Sequence, residues 1–281
     1  MTTGLGATYR FMGVGPLATP TQLRADLRAL GVEPGSVLMV HTALSKVGFI
    51  PGGAQAMIEA LLDVLGPGGT LVMPAFSASI TDPQFWTNPP VPEEWWPTIR
   101  EETPAYDGRK TPTRMLGIVA ELFRTWPGVT RSEHPHNSVA AIGPSAAAIT
   151  TGHELESGMG EGSPLARLYE LDAFVLLQGV NHANNSSLHL AEHRGTWPGK
   201  RTVTEGAPLD SGWTPFESLH YDDKDFEQIG FAFGDRATHG KIGHADAQLM
   251  RQRDIVDFGA NWMTQNRGRP SPSNPASPPT P

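Results

Sequence analysis

The chain has 281 residues, ten histidines, no cysteine and a formal net charge of −8. Without cysteine there is no disulfide, no zinc–thiolate centre and no thiol nucleophile, and an acidic chain with no Lys/Arg cluster argues against nucleic acid as a partner. No apolar run nears the roughly 20 residues that cross a bilayer, and Met1 to Gly15 lacks a signal-peptide core, so a cytoplasmic protein with no membrane partner is expected.

Helical and extended patterns alternate along the chain. Thr21 to Leu30 places Leu23, Leu27 and Leu30 on one face, after Pro20 and before Gly31, and predicts an amphipathic helix. Ser36 to His41 is a short Val-rich run and predicts a buried strand. Gln55 to Leu65 predicts a second helix, stopped by Gly66-Pro67-Gly68-Gly69, and Thr70 to Phe76 the next strand. Together they form a parallel unit with a right-handed crossover. Ser77 to Thr113 carries seven prolines with Trp86, Trp95 and Trp96 among them, and reads as a long irregular loop or lid. Met115 to Trp126 predicts a helix; Val139 to Ile142 and Ala173 to Val180 predict strands. Leu188 opens a helix, Thr202 to Glu205 reads as a strand, and Asp225 to Phe233 and His244 to Met263 read as two C-terminal helices. The expected fold is α/β, a three-layer sandwich around a central, mostly parallel mixed sheet with a long irregular Pro/Trp-rich insert. Residues 1–266 form one domain in this reading, and the Pro/Ser-rich run 267–281 is a disordered tail.

The sharpest chemical signal is Gly179-Val180-Asn181-His182-Ala183-Asn184-Asn185-Ser186-Ser187-Leu188-His189-Leu190-Ala191-Glu192. A buried strand ends, a polar loop follows, and Asn185, Ser186 or Ser187 can cap the next helix. His189 then lies in or near the first turn, beyond a strand's carboxyl end, where open α/β sheets bind ligands. The positive end of the helix dipole disfavours an imidazolium there, so the ring is expected to be neutral and able to accept a proton. Glu192, three residues on, shares its face and can hydrogen-bond the other ring nitrogen. Two readings compete with a general base: an ordinary capped helix with a polar histidine, and a metal-dependent hydrolase using His182, His189 and His193. The His134-Pro135-His136 pair admits a metal or a plain loop. His41-Thr42-Ala43-Leu44-Ser45 follows a strand and could cradle a phosphate or an amide through backbone N–H groups and hydroxyls. Neither a phosphate-binding G-x-x-x-x-G-K-[ST] nor a G-x-S-x-G elbow is present.

Four segments in register carry a resemblance: VHTALSKVG (Val40 to Gly48), LGPGGTLVMPAF (Leu65 to Phe76), TPTRMLGIVAELFRTWPGVTRSEHPHNSVAAIGP (Thr111 to Pro144) and LLQGVNHANNSSLHLAE (Leu176 to Glu192). The chain resembles the aminoglycoside 3-N-acetyltransferases, a family unrelated to the GNAT fold, over most of residues 20–262. The resemblance implies transfer from acetyl-CoA to the 3-amino group of a 2-deoxystreptamine ring, giving antibiotic resistance. It implies His189 as base with Glu192 beside it, and coenzyme binding by His41, Thr42, Leu44, Ser45 and Ser138. A cationic acceptor calls for carboxylates, which map to Asp82 and Glu217, with Asp222 and Asp223 next. Acetyl-CoA and a cationic aminoglycoside are then the partners, direct transfer is the route, no metal is needed, and the chain is a monomer or homodimer. An acetyltransferase for another small amine is the alternative.

Overall fold

A computed structural model describes residues 15–268. The N-terminal reading, bar Gly15, and the tail from residue 269 on lie outside the described residues. The strands are β1 (Val37–Thr42), β2 (Thr70–Pro74), β3 (Thr130–Arg131), β4 (Val139–Ile142), β5 (Phe174–Gln178), β6 (Thr202–Leu209), β7 (Gly212–Leu219), β8 (Thr238–Ile242) and β9 (Ala245–Arg251). The helices are α1 (Pro20–Leu30), α2 (Leu44–Val47), α3 (Gly53–Leu65), α4 (Trp96–Glu102), α5 (Gly117–Arg124), α6 (Ala146–Thr150), α7 (Pro164–Glu170), α8 (Ser187–Arg194), α9 (Phe226–Phe233) and α10 (Gln252–Asn266).

Seven strands form one sheet in the order β3-β4-β2-β1-β5-β9-β8. β1 runs parallel to β2 and to β5, and the flanking pairs are antiparallel. Only β4 and β9 are reversed, so five of the seven strands point the same way. Alternation along each strand feeds two cores. Leu38, Val40, Leu71, Met73 and Leu176 meet α1, α3 and α5 on one side. Met39, Val72, Val175, Leu177 and Met250 meet α6 to α10 on the other. That is the expected three-layer sandwich.

Local chemistry explains why these elements form where they do. Thr19 Oγ1 accepts the Gln22 amide at 3.2 Å, Pro20 opens α1, and Gly31 closes it in the left-handed region at φ 105°. α8 and α10 pack together, and Gly259 permits their close approach: a Cβ there would come within 2.8 Å of Leu188 Cδ2. Filling that position with a side chain would push α10 away from the helix that carries His189.

Several expectations are corrected. His244 to Met263 is not one helix: Ala245–Arg251 is strand β9, and α10 starts at Gln252. Ala245, Ala247 and Leu249 are buried in alternation, the period of a sheet, and pair through β9 with β5 and β8. Thr202 to Glu205 is extended but lies in a separate hairpin, β6–β7. The Ser77 to Thr113 segment contains helix α4 among short 3-10 turns. Arg267, assigned to the disordered tail, is instead packed into the domain with only 10% of its side chain exposed.

Candidate active site

β1 and β5 are neighbours, so their carboxyl ends and the loops beyond them come together. Thr42 pairs with Gln178 across the two strands, and its Oγ1 donates to Gln178 Oε1 at 3.0 Å. After β1 the chain turns at once into the single-turn helix α2. After β5 it passes through a 3-10 turn, His182–Asn184, which Asn181 caps by accepting the Ala183 amide at 3.1 Å. Asn185 Oδ1 then accepts the Ser187 amide at 3.2 Å, and α8 begins. His189 is its third residue, inside the first turn.

A cavity of about 680 Å³ opens over these strand ends. Its apolar lining includes Val40, Met73, Pro74, Leu116 and Val119, and its polar lining His41, Thr42, Ser45, Asn184, Ser186, His189 and Asp223. The volume falls in the range of about 300–1,000 Å³ typical of small-molecule sites. The start of α5 forms a wall that sequence reasoning missed, from Met115 to Ala120. Met115 is 90% exposed and sits at φ 64°, a left-handed conformation uncommon for its residue type. The motif there reads as an ordinary helix, so no sequence signal marks it as a wall.

His189 Nδ1 lies 2.7 Å from Glu192 Oε2. Its Nε2 has no hydrogen-bond partner among the described residues, and the ring lines the cavity. Two aromatic rings fix its plane, Tyr221 and Phe226, each with its centroid 4.9 Å away. Tyr221 is itself held: its hydroxyl accepts the Met159 amide at 3.0 Å and lies 3.0 Å from His193 Nε2. Glu192 is fully buried, and its other oxygen, Oε1, accepts from the Asp222 amide at 3.0 Å and Arg267 Nη1 at 2.7 Å. Burial pushes the Glu192 carboxyl up, but His189, Arg267 and the Asp222 amide outweigh it and hold the group below its ordinary value. Across the cavity His41 is buried, and its Nε2 has no partner among the described residues. Burial first, and then the proximity of His189, lower its pKa to about 3, so it is a neutral ring at physiological pH.

The structure brings His41, Thr42, Leu44, Ser45, His189 and Asp223 around one cavity. Glu192 stands directly behind His189, and Asp222 contributes its backbone to Glu192. Three further assigned residues lie away from both the cavity and the His189–Glu192 pair. Ser138 is fully buried; its hydroxyl donates to the Ala75 carbonyl at 2.7 Å and accepts from Arg131 Nε at 3.0 Å. Asp82 is 4% exposed and engages Arg100 at 2.8 and 3.2 Å while capping the Gln84 amide. Glu217 sits on the exposed side of β7 and accepts from Thr204 Oγ1 at 2.6 Å. The histidine triple does not converge either: His182 Nε2 faces Gln248 and His193 Nε2 faces Tyr221. Among the described residues no group of three or more His, Cys, Asp or Glu could hold a metal ion.

Comparison with known proteins fits this arrangement. A family model described as aminoglycoside 3-N-acetyltransferase matches residues 39–264. The SPbeta prophage-derived aminoglycoside N(3')-acetyltransferase-like protein YokD of Bacillus subtilis is 41% identical over 257 residues, covering 88% of this chain and 93% of that protein. Aminoglycoside N(3)-acetyltransferase VII of Streptomyces paromomycinus is 35% identical, covering 91% and 94%. The YokD crystal structure superposes with a TM-score of 0.86 at 40% identity, over 89% of this chain and 95% of that one. The AAC-IIIb binary complex with CoASH gives 0.77 at 33% identity, over 92% and 100%. AAC-VIa bound to sisomicin gives 0.79 at 28% identity, over 90% and 100%.

Proposed function

The chain belongs to the aminoglycoside 3-N-acetyltransferase family, and from that premise we propose that it acetylates the 3-amino group of a 2-deoxystreptamine aminoglycoside from acetyl-CoA, with His189 as general base. The observation that carries the reading is the His189–Glu192 pair at 2.7 Å, in which the other ring nitrogen of His189 has no partner among the described residues and the ring lines the strand-end cavity. The relatives bound to CoASH and to sisomicin supply the two substrate classes.

An ammonium group has no lone pair, so the acceptor must first lose one proton to solvent, and the neutral amine then sheds a second as it attacks. Glu192 accepts the Nδ1–H of His189, which fixes the tautomer and leaves a lone pair on Nε2. The amine nitrogen forms its bond to the acetyl carbonyl carbon and gives a proton to Nε2. The C–S bond then breaks, and the leaving sulfur takes up that proton to give free CoA. A positioned base of this kind contributes about 100- to 10,000-fold. The carbonyl oxygen gains negative charge and needs donors. The Thr42 hydroxyl already donates to Gln178, so the first-turn amides of α2, Leu44 and Ser45, are the better donors, having no partner within their helix. No cysteine and no serine elbow offers an acyl-enzyme route, and transfer is direct.

The exposed carboxylate of Asp223 at the cavity, and no longer Asp82 or Glu217, is the acceptor-side anion. The test is thiol release from acetyl-CoA across a panel of aminoglycosides and unrelated amines. Release with 2-deoxystreptamine antibiotics, and a product acetylated at the 3-amine by NMR, is the expected result. Release with unrelated amines alone would move the chain to another acceptor.

A further inference from the structure

Glu192 can orient His189 only if Glu192 is itself held. We propose that Arg267, the residue that follows α10, is a positioning residue of the transfer reaction, fixing the Glu192 carboxylate and setting the charge that His189 meets. The inference rests on the reading of His189 as the base.

The geometry divides the carboxylate between two tasks. Oε2 faces His189 Nδ1, and Oε1 is the anchored end. Arg267 Nη1 donates to Oε1 at 2.7 Å. The same guanidinium donates to Asp225 from Nε at 2.7 Å and from Nη2 at 2.6 Å, and Nη2 also reaches the Asp222 carbonyl at 2.6 Å. Its carbon lies 4.6 Å from the centre of the Trp197 ring. All three guanidinium nitrogens are engaged and the planar fork is clamped from its face, which a lysine cannot reproduce. The arginine therefore ties Glu192 to the 222–225 loop, and that loop brings Asp223 to the cavity.

Charge acts on the pair separately from packing. The groups that face His189 and Glu192 are His41 from β1, His193 from α8, Lys200 beyond it, Tyr221 and Asp223 from the loop after β7, and Arg267. Besides His189, Arg267 is the one side chain among them that is hydrogen-bonded to Glu192. Removing it leaves an uncompensated carboxylate against the ring, which favours the protonated imidazole that cannot act as base.

The experiment is steady-state kinetics with pH profiles of Arg267→Ala and Arg267→Lys, together with chains ending at Gly268 and at Asn266. For Arg267→Ala we expect kcat to fall about tenfold or more with the acetyl-CoA KM little changed, and the acid limb of kcat/KM to move to higher pH. Arg267→Lys keeps the cation, so its acid limb stays nearer that of wild type while kcat is still reduced; millimolar guanidinium restores part of the Arg267→Ala activity. The chain ending at Gly268 behaves as wild type, and the one ending at Asn266 behaves as Arg267→Ala. If Arg267→Ala fails to fold, the kcat of Arg267→Lys decides alone. A folded Arg267→Ala with wild-type kcat and pH profile, whatever its melting temperature, overturns the proposal and leaves Arg267 a structural clasp. An unchanged Arg267→Ala beside an inactive His189→Ala defeats only this proposal, whereas an active His189→Ala defeats the reading beneath it.

Discussion

Asp82 and Glu192 are both buried carboxylates gripped by an arginine. Asp82 binds Arg100 through both oxygens and caps a short turn, so each of its oxygens ends on a fixed donor. Glu192 binds Arg267 through one oxygen and gives the other to His189, a ring that lines the cavity. The first arrangement is closed and ties the Pro/Trp-rich segment to itself, from Asp82 to helix α4. The second is open at one end, and a proton can pass there. An arginine beside a buried acid is a poor guide to role; the identity of the remaining partner decides it.

The sharpest way to break this contrast is His189→Ala. At the open end, loss of the base should lower kcat by about 100-fold or more while acetyl-CoA affinity stays near normal. Turnover close to wild type, measured as thiol release, would leave the His189–Glu192 pair a structural one.

Acid should separate the two regions next. His41 lines the same cavity as the open end, and its pKa is lowered to about 3 from an ordinary 6.5. The unfolded chain therefore binds a proton there that the folded chain refuses. The stability that His41 contributes is full above pH 6.5 and is lost as pH falls toward 3. The slope is about 1.4 kcal/mol per pH unit for one such group, or about 2 kcal/mol between pH 6.5 and 5. His153, lowered to about 4 by burial, adds in the same direction. Glu192, held low, adds its own loss only below its ordinary range. Urea midpoints at pH 7 and 5 check this, and His41→Gln should flatten the dependence. A midpoint that does not move between those pH values would mean these rings are already charged in the fold.

Paired substitutions sharpen the comparison further. Glu192→Gln should lower kcat about tenfold, because the amide no longer balances the imidazolium and must turn its NH2 toward a donor, either His189 Nδ1–H or the Arg267 guanidinium. Asp82→Asn should leave kcat and both KM values alone and lower stability by about 1–3 kcal/mol, since Arg100 is left half-buried without its acid. A kinetic defect in Asp82→Asn with unchanged melting temperature would reverse the assignment.

What could be read from the sequence follows the range of the interactions. α1 and α3 were legible because their leucine spacing and closing glycines are local, and His189–Glu192 because the pair is three residues apart. Arg267 was not legible: its partner is 75 positions away, and it opens a Pro/Ser-rich run that looks solvated. Asp82 looked like a site residue because it follows a strand end, and nothing local shows that Arg100 would reach back 18 positions. Strand β9 was misread because Ala, Gln, Leu and Met favour helices, and only its two sheet neighbours override that preference. Helix α7 was overlooked although Ser163-Pro164 is a readable start, with Ser163 Oγ accepting the Leu165 amide at 3.2 Å.

The smallest expected effect concerns two exposed acids, Asp223 and Glu217. Asp223 lines the cavity, while Glu217 lies on the exposed side of the hairpin with Thr204 as its partner. A carboxylate in water gains little from a cation, about 0–1 kcal/mol, because solvent screens it. Asp223→Asn should therefore raise the aminoglycoside KM by no more than about fivefold and leave the acetyl-CoA KM and kcat unchanged. The increase should shrink at high salt, where the Debye length falls to about 3 Å at 1 M. Glu217→Gln should change neither KM at either salt concentration. If Glu217→Gln raises the aminoglycoside KM and Asp223→Asn does not, the acceptor approaches over the hairpin and the acidic lining of the cavity has been put on the wrong side.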